Sequence, residues 1–138
     1  MMKLQKRRFV RFQVDWRAAV FVTQNGREKA IPARITDVSK EGIGLTLDSK
    51  LALDATYKMA MAIPAYDLSG QRFVTGKYKV IDCFVTTDGT FRAGAELTQI
   101  DQPNEEILMW FLREEARRLE WAYSRTTGKF EFVKEAYQ

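Results

Sequence analysis

Phe12-Gln13-Val14-Asp15-Trp16-Arg17-Ala18-Ala19-Val20-Phe21-Val22 places an apolar side chain at every even position, against Gln13, Asp15 and Arg17 on the odd ones. A period of two belongs to a strand with one face in the core. Asn25-Gly26 follows directly, and a type I′ turn needs positive φ at both central residues, which this pair tolerates best. A second strand is therefore predicted from Glu28 to Asp37, with Pro32 marking an edge or a bulge because proline cannot donate to a ladder.

The pattern continues outward. Ile43, Leu45 and Leu47 alternate with Gly44, Thr46 and Asp48; Tyr57, Met59, Met61 and Ile63 alternate between Thr56 and Pro64; Phe73 to Thr86 forms a longer stretch. Asp88-Gly89 marks a second hairpin, leading into Phe91, Ala93, Ala95 and Leu97. Six short strands with regular turn signals imply a barrel or a sandwich.

Beyond Pro103 the period changes. Ile107, Leu108, Phe111, Leu112, Leu119 and Ala122 recur at helical spacing, predicting an amphipathic helix from Asn104 to about Tyr123. Asn104 is the expected cap, Glu105 and Glu106 suit the positive end of the helix dipole, and Arg117 and Arg118 the negative end. Met109, Trp110 and Trp121 widen the apolar surface, which fits packing on the barrel or contact with another chain. The stretch 124–138 contains Thr127-Gly128 and then alternating Phe130, Phe132 and Val133, a short strand or a docked tail.

The 138 residues, 46% of them hydrophobic, suit one globular domain, and no apolar run is long enough to span a membrane. The basic N-terminus has no following apolar segment of a signal peptide, and Cys83 is the single cysteine, so a cytoplasmic location without disulfides is expected. Net charge is +4. Its excess lies at the start, where Lys3, Lys6, Arg7, Arg8 and Arg11 stand without an acid among them. This divides the chain into a basic arm over 1–11, a barrel with its helix over 12–123, and a tail over 124–138.

Catalysis finds little to work with. There is no histidine, Cys83 sits in an alternating apolar strand, and neither a Walker-type loop nor a metal-ligand spacing occurs, so no catalytic residue, metal or cofactor is expected. Adjacent acids such as Glu105-Glu106 and Glu114-Glu115 belong to a solvated helix face.

Two short motifs point to a ligand. Arg7 and Arg11 form RxxxR, and Asp37, Ser39 and Gly42 form DxSxxG. RxxxR carries little weight alone, since Arg113 and Arg117 repeat it, whereas DxSxxG would arise by composition roughly 0.01 times in a chain of this length. Arginine forks match planar acceptors such as phosphates and guanine edges, and a carboxylate accepts from adjacent N–H donors.

This pair of motifs resembles the PilZ family, bacterial domains that bind the second messenger cyclic di-GMP. Phe91-Arg92-Ala93-Gly94-Ala95-Glu96-Leu97 also looks like that family's last strand, so the resemblance covers roughly residues 5 to 123. It implies a six-stranded antiparallel β-barrel with a C-terminal α-helix, and a receptor rather than an enzyme. It further implies that Arg7 and Arg11 grip phosphate and guanine edges, that Asp37 accepts from a guanine, that Ser39 contacts the nucleotide, and that Gly42 keeps the turn open to the base. Lys6, Arg8 and Gly44 are secondary candidates. On this reading the ligand orders the basic arm across the barrel and alters contacts with an effector protein, with a homodimer also compatible.

Two other readings stand beside it. A small barrel binding nucleic acid would use the arm for phosphates and Phe21, Tyr66 or Phe73 for stacking, although the cations cluster at one terminus instead of along a strand face. A PilZ-like scaffold working through protein contacts alone would not need both motifs.

Overall fold

The computed structural model describes residues 10–64 and 71–126, with the side chains of Gln71 and of residues 119–126 left aside. Lys6, Arg7 and Arg8, Tyr66 and the stretch 127–138 therefore lie outside the described residues.

Six strands and one helix follow in order: β1 (Phe12–Gln24), β2 (Arg27–Val38), β3 (Gly42–Leu47), β4 (Thr56–Pro64), β5 (Gln71–Val85), β6 (Phe91–Gln99) and α1 (Gln102–Thr126). The strands close into an antiparallel barrel in the order β1-β2-β3-β6-β5-β4. Each expected strand is present to within a few residues at its ends.

Local chemistry accounts for the turns. Asn25 and Gly26 have φ of 52° and 75°, the two positive values expected at the β1–β2 hairpin. Pro32 pairs with Ala19 of β1, while β3 begins its pairing with β2 only at Ala33. Proline thus stands where the far side of β2 is an edge. The second hairpin is longer than two residues: Gly89 donates to the Thr86 carbonyl at 3.1 Å and takes φ of 87°. Asp88 Oδ1 accepts from the Thr90 amide at 3.1 Å and from the Thr90 hydroxyl at 2.8 Å, as well as from the Thr86 hydroxyl. These bonds, led by that of Thr86, lower the Asp88 carboxyl to about 2.

Alternation puts Val20, Ile35, Leu45, Met59, Met61, Val74 and Val80 inside the barrel, all fully buried. The helix adds Leu108, Phe111, Leu112 and Ala116, at the spacing of one helix face, to the same core. Trp16 of β1 meets Phe111 edge to face, with ring centroids 4.7 Å apart at 78°. Each large apolar side chain so buried stabilises the fold by about 1.5–3 kcal/mol relative to exposure. Met109 packs against the core, which supports the packing role of the wide apolar surface, whereas Trp110 stays partly exposed. The aromatics are less uniformly interior than their spacing implies: Phe73 and Phe84 on β5 are exposed.

The helix start corrects one expectation. Asp101, not Asn104, is the cap: its Oδ1 accepts from the Asn104 amide at 3.0 Å, and its carbonyl accepts from the Glu105 amide at 2.9 Å. Asn104 is instead a tie. Its Nδ2 donates to Asp101 at 2.7 Å, and its Oδ1 accepts from the Thr75 amide of β5 at 2.9 Å, fastening the first helical turn to the sheet. The helix also runs three residues past Tyr123, into the segment expected as tail.

The backbone and side-chain bonds from Asn104 hold the Asp101 carboxyl below its usual range. A folded-state value below the unfolded one gives stability that is present above the unfolded pKa and lost as pH falls through the folded one. Thermal melts from pH 7 to 3 are expected to show a steeper acid decline for the native chain than for Asp101→Asn, which keeps the cap without the titration. Parallel curves would remove Asp101 from the acid sensitivity.

Among the described residues, no helix is long and apolar enough to cross a membrane.

Candidate functional site

The DxSxxG segment forms the connection between β2 and β3, where the chain must reverse in three residues. Ser39 makes this possible. Its amide donates to the Gly42 carbonyl at 2.9 Å, and its Oγ accepts from the amides of Glu41 and Gly42, both at 3.2 Å. The Glu41 carbonyl then accepts from the Leu97 amide at 2.8 Å, joining the turn to β6. Ser39 is buried, and its Oγ donates in turn to the Gly42 carbonyl at 3.4 Å, so the hydroxyl is engaged in shaping the turn.

Gly42 has a sheet-packing role that the sequence did not suggest. A Cβ there would lie 2.4 Å from the carbonyl oxygen of Ala95, so the residue is small because β6 passes close by. Gly44 makes room for Asp37. A Cβ at that position would lie 2.2 Å from Asp37 Oδ2, in the space the carboxylate occupies over β3.

Asp37 reaches that place through a bulge. The β2–β3 register shifts between Ile35 and Asp37, so Ile35 keeps its core position and Asp37 turns to the outer face opposite Gly44. The carboxylate is nonetheless buried, because two arginines cover it. Arg11, just before β1, donates from Nη1 to Oδ1 at 2.7 Å; Arg92 of β6 approaches Oδ2 at 3.4 Å, and the Thr36 hydroxyl lies 3.3 Å from the same oxygen. One oxygen is thus held firmly, and the other by two long contacts that competing donors can replace. The Arg11 Nε is buried without a partner among the described residues.

Arg11 just before β1, Gly44 on β3 and Arg92 on β6 lie 26, 7 and 55 positions from Asp37 on β2, and they converge on it only through the barrel. Arg92 was not among the expected site residues. Its signal was available once β3 and β6 were paired: Arg92 and Gly94 are two apart, on one face, and Gly94 lies directly opposite Gly44. Among the described residues no group of three metal-ligating side chains gathers.

Solved structures share this architecture. Inhibitor of motility MotI/DgrA from Bacillus subtilis aligns over 85% of this chain with a TM-score of 0.61 and 16% identity. The PilZ domain of YcgR from Escherichia coli, solved with c-di-GMP, aligns over 83% with a TM-score of 0.58 and 16% identity, and MrkH of K. pneumonia in complex with c-di-GMP over 83% with 0.59 and 19%. The chain spans 96% of the YcgR domain but only about half of the other two, at 55% and 56%. No curated protein sequence matches it. The PilZ domain family model matches residues 5–114, all six strands of the barrel and the first half of α1, and with the ring of six strands, the DxSxxG turn and the Arg11–Asp37 pair in place, this chain belongs to the PilZ family.

Proposed function

We propose that this chain is a non-catalytic receptor for cyclic di-GMP. The observation that carries the reading is the Arg11–Asp37 pair lying over Gly44 on the outer face of the barrel, a guanidinium fork beside a carboxylate in a chain of this family. The YcgR domain and MrkH, similar in fold, are described with c-di-GMP.

In this reading the base edge of a guanine donates to Asp37 Oδ2, displacing the long contacts from Thr36 and Arg92. Arg11 keeps its bond to Oδ1 and turns its remaining donors to a phosphate or a guanine acceptor. Arg7, with Lys6 and Arg8 beside it, closes over the ligand from the arm, adding charge-assisted bonds to the phosphates. Ser39 and Gly42 act through the turn they shape. Acting in the cytoplasm, the loaded surface made by arm and barrel then changes contact with an effector protein. The pair of motif halves favours this over a barrel that binds nucleic acid or a scaffold that binds protein alone.

Isothermal titration tests it. The native chain is expected to bind cyclic di-GMP at micromolar concentration or tighter and not to bind GTP comparably. Each charge-assisted hydrogen bond is worth about 1.5–3 kcal/mol, so Arg11→Ala should weaken binding by roughly tenfold to a hundredfold. Absence of binding at high protein concentration would overturn the receptor reading, and unchanged affinity in Arg11→Ala would remove that residue from the site.

A further inference from the structure

The surroundings of Asp37 are repeated on the other side of the β3–β6 seam. β3 and β6 run antiparallel with Gly44 directly opposite Gly94. On the β3 side, Ile35 pairs with Leu45 and Asp37 with Gly44, leaving Thr36 as the extra residue of a bulge. On the β6 side, Val80 pairs with Ala95 and Asp82 with Gly94, leaving Ile81 as the extra residue. A two-fold axis normal to the sheet, passing between the two glycines, exchanges these halves register for register. It exchanges β2 with β5, β3 with β6 and Asp37 with Asp82.

The resemblance extends to the side chains. Each carboxylate leans over the glycine it faces: a Cβ on Gly44 would lie 2.2 Å from Asp37 Oδ2, and one on Gly94 would lie 2.9 Å from Asp82 Oδ1. Directly opposite Cβ positions are about 5.5 Å apart at most, so the two carboxylate oxygens lie within about 11 Å of one another. No side chain at positions 44 or 94 stands between them.

The halves differ in cations. Asp37 is covered by Arg11 and Arg92. The two-fold counterpart of Arg92, two residues before Gly94, is Gly42, two residues before Gly44, and it carries no side chain. Asp82 accordingly forms no ion pair among the described residues; Oδ1 accepts from the Gly94 amide at 2.8 Å, and the residue is exposed. Among the described residues its second oxygen has no hydrogen-bond partner.

We infer that Asp82 is the second base-edge acceptor of this site, the counterpart of Asp37, so that a dinucleotide with two-fold symmetry has each guanine met by one aspartate across the Gly44–Gly94 pair. The inference rests on the receptor reading above and adds a specificity residue to it. A ligand with one guanine would satisfy only one half.

Titration of the native chain and of Asp82→Asn with cyclic di-GMP and with the mixed cyclic GMP–AMP dinucleotide tests this. Asparagine keeps an oxygen for the Gly94 amide but offers the ligand an amide in place of a carboxylate; Asp82→Ser, with a shorter oxygen, serves as a second variant, and melting curves report whether each is folded. The native chain should prefer cyclic di-GMP over the mixed ligand by at least about tenfold. Asp82→Asn should lose about tenfold for cyclic di-GMP and little for the mixed ligand, so that the preference collapses. Native affinity for cyclic di-GMP in both variants, or an equal loss for the two ligands, overturns the inference while leaving the receptor reading intact. Failure of the native chain to bind cyclic di-GMP overturns both.

Discussion

Asp37→Ala is expected to lower stability by about 3 kcal/mol and to abolish nucleotide binding. Removing one partner of a buried ion pair typically costs about 3–5 kcal/mol, because the remaining charge is left without compensation. The lower end applies here. Arg11 retains 23% and Arg92 45% side-chain exposure, so both recover some water when the carboxylate is gone. In a domain of this size the loss amounts to a fall in Tm of about 10 °C. Asp37→Asn should retain more stability, since its oxygen still accepts from Arg11, yet it presents an amide to the guanine edge and should bind weakly. Denaturant unfolding of both variants, run beside titration, separates the two effects. A native melting point for Asp37→Ala would mean that the arginines are as well solvated alone as they are paired.

Gly42→Ala and Gly44→Ala should diverge, although the residues are two apart in one short strand. The methyl at position 42 would meet a backbone oxygen of β6 at 2.4 Å, and backbone in a closed ring has little room to retreat. Overpacking costs about 1–3 kcal/mol, and the upper end is expected because no side chain can rotate to relieve it. The methyl at position 44 would meet the Asp37 carboxylate at 2.2 Å, a group that can swing aside at the expense of its arginine contacts. Gly44→Ala should therefore melt closer to the native chain than Gly42→Ala does, while losing at least about tenfold in affinity for cyclic di-GMP. Equal melting points with affinity lost only in Gly42→Ala would reverse these assignments.

The barrel was legible because its code is local. Alternation from Phe12 to Val22 and from Tyr57 to Ile63, and the positive-φ turn at Asn25-Gly26, need only neighbouring residues to be read. Asp37 and Gly42 were singled out by a motif, with Gly44 a secondary candidate beside them, but the reasons for the glycines were not legible. Only the paired register shows that Gly42 faces the Ala95 carbonyl and that Gly44 yields its space to Asp37. Arg92, 55 residues from its carboxylate, looks in sequence like any outward charge on an alternating strand. Bulges hid Asp82 in the same way, since one extra residue in β5 changes which side chain faces outward. The cap was misassigned because Asp101 and Asn104 both suit a helix start, and the hydrogen bond that engages Asn104 comes from Thr75, far away in the chain.

The ring is not equally tight all the way round. Its closure between β1 and β4 spans only Ala18–Phe21 against Lys58–Met61, whereas β1 and β2 pair along nearly their whole length. In the order β1-β2-β3-β6-β5-β4, this short ladder lies diametrically across from the β3–β6 seam. Transient parting of the staves would begin where fewest amides hold them, and amide hydrogen exchange would register it first along the β1–β4 ladder. Such breathing leaves β2, β3, β6 and β5 joined as one continuous sheet, so the barrel can gape at its back without disturbing the surface it presents in front.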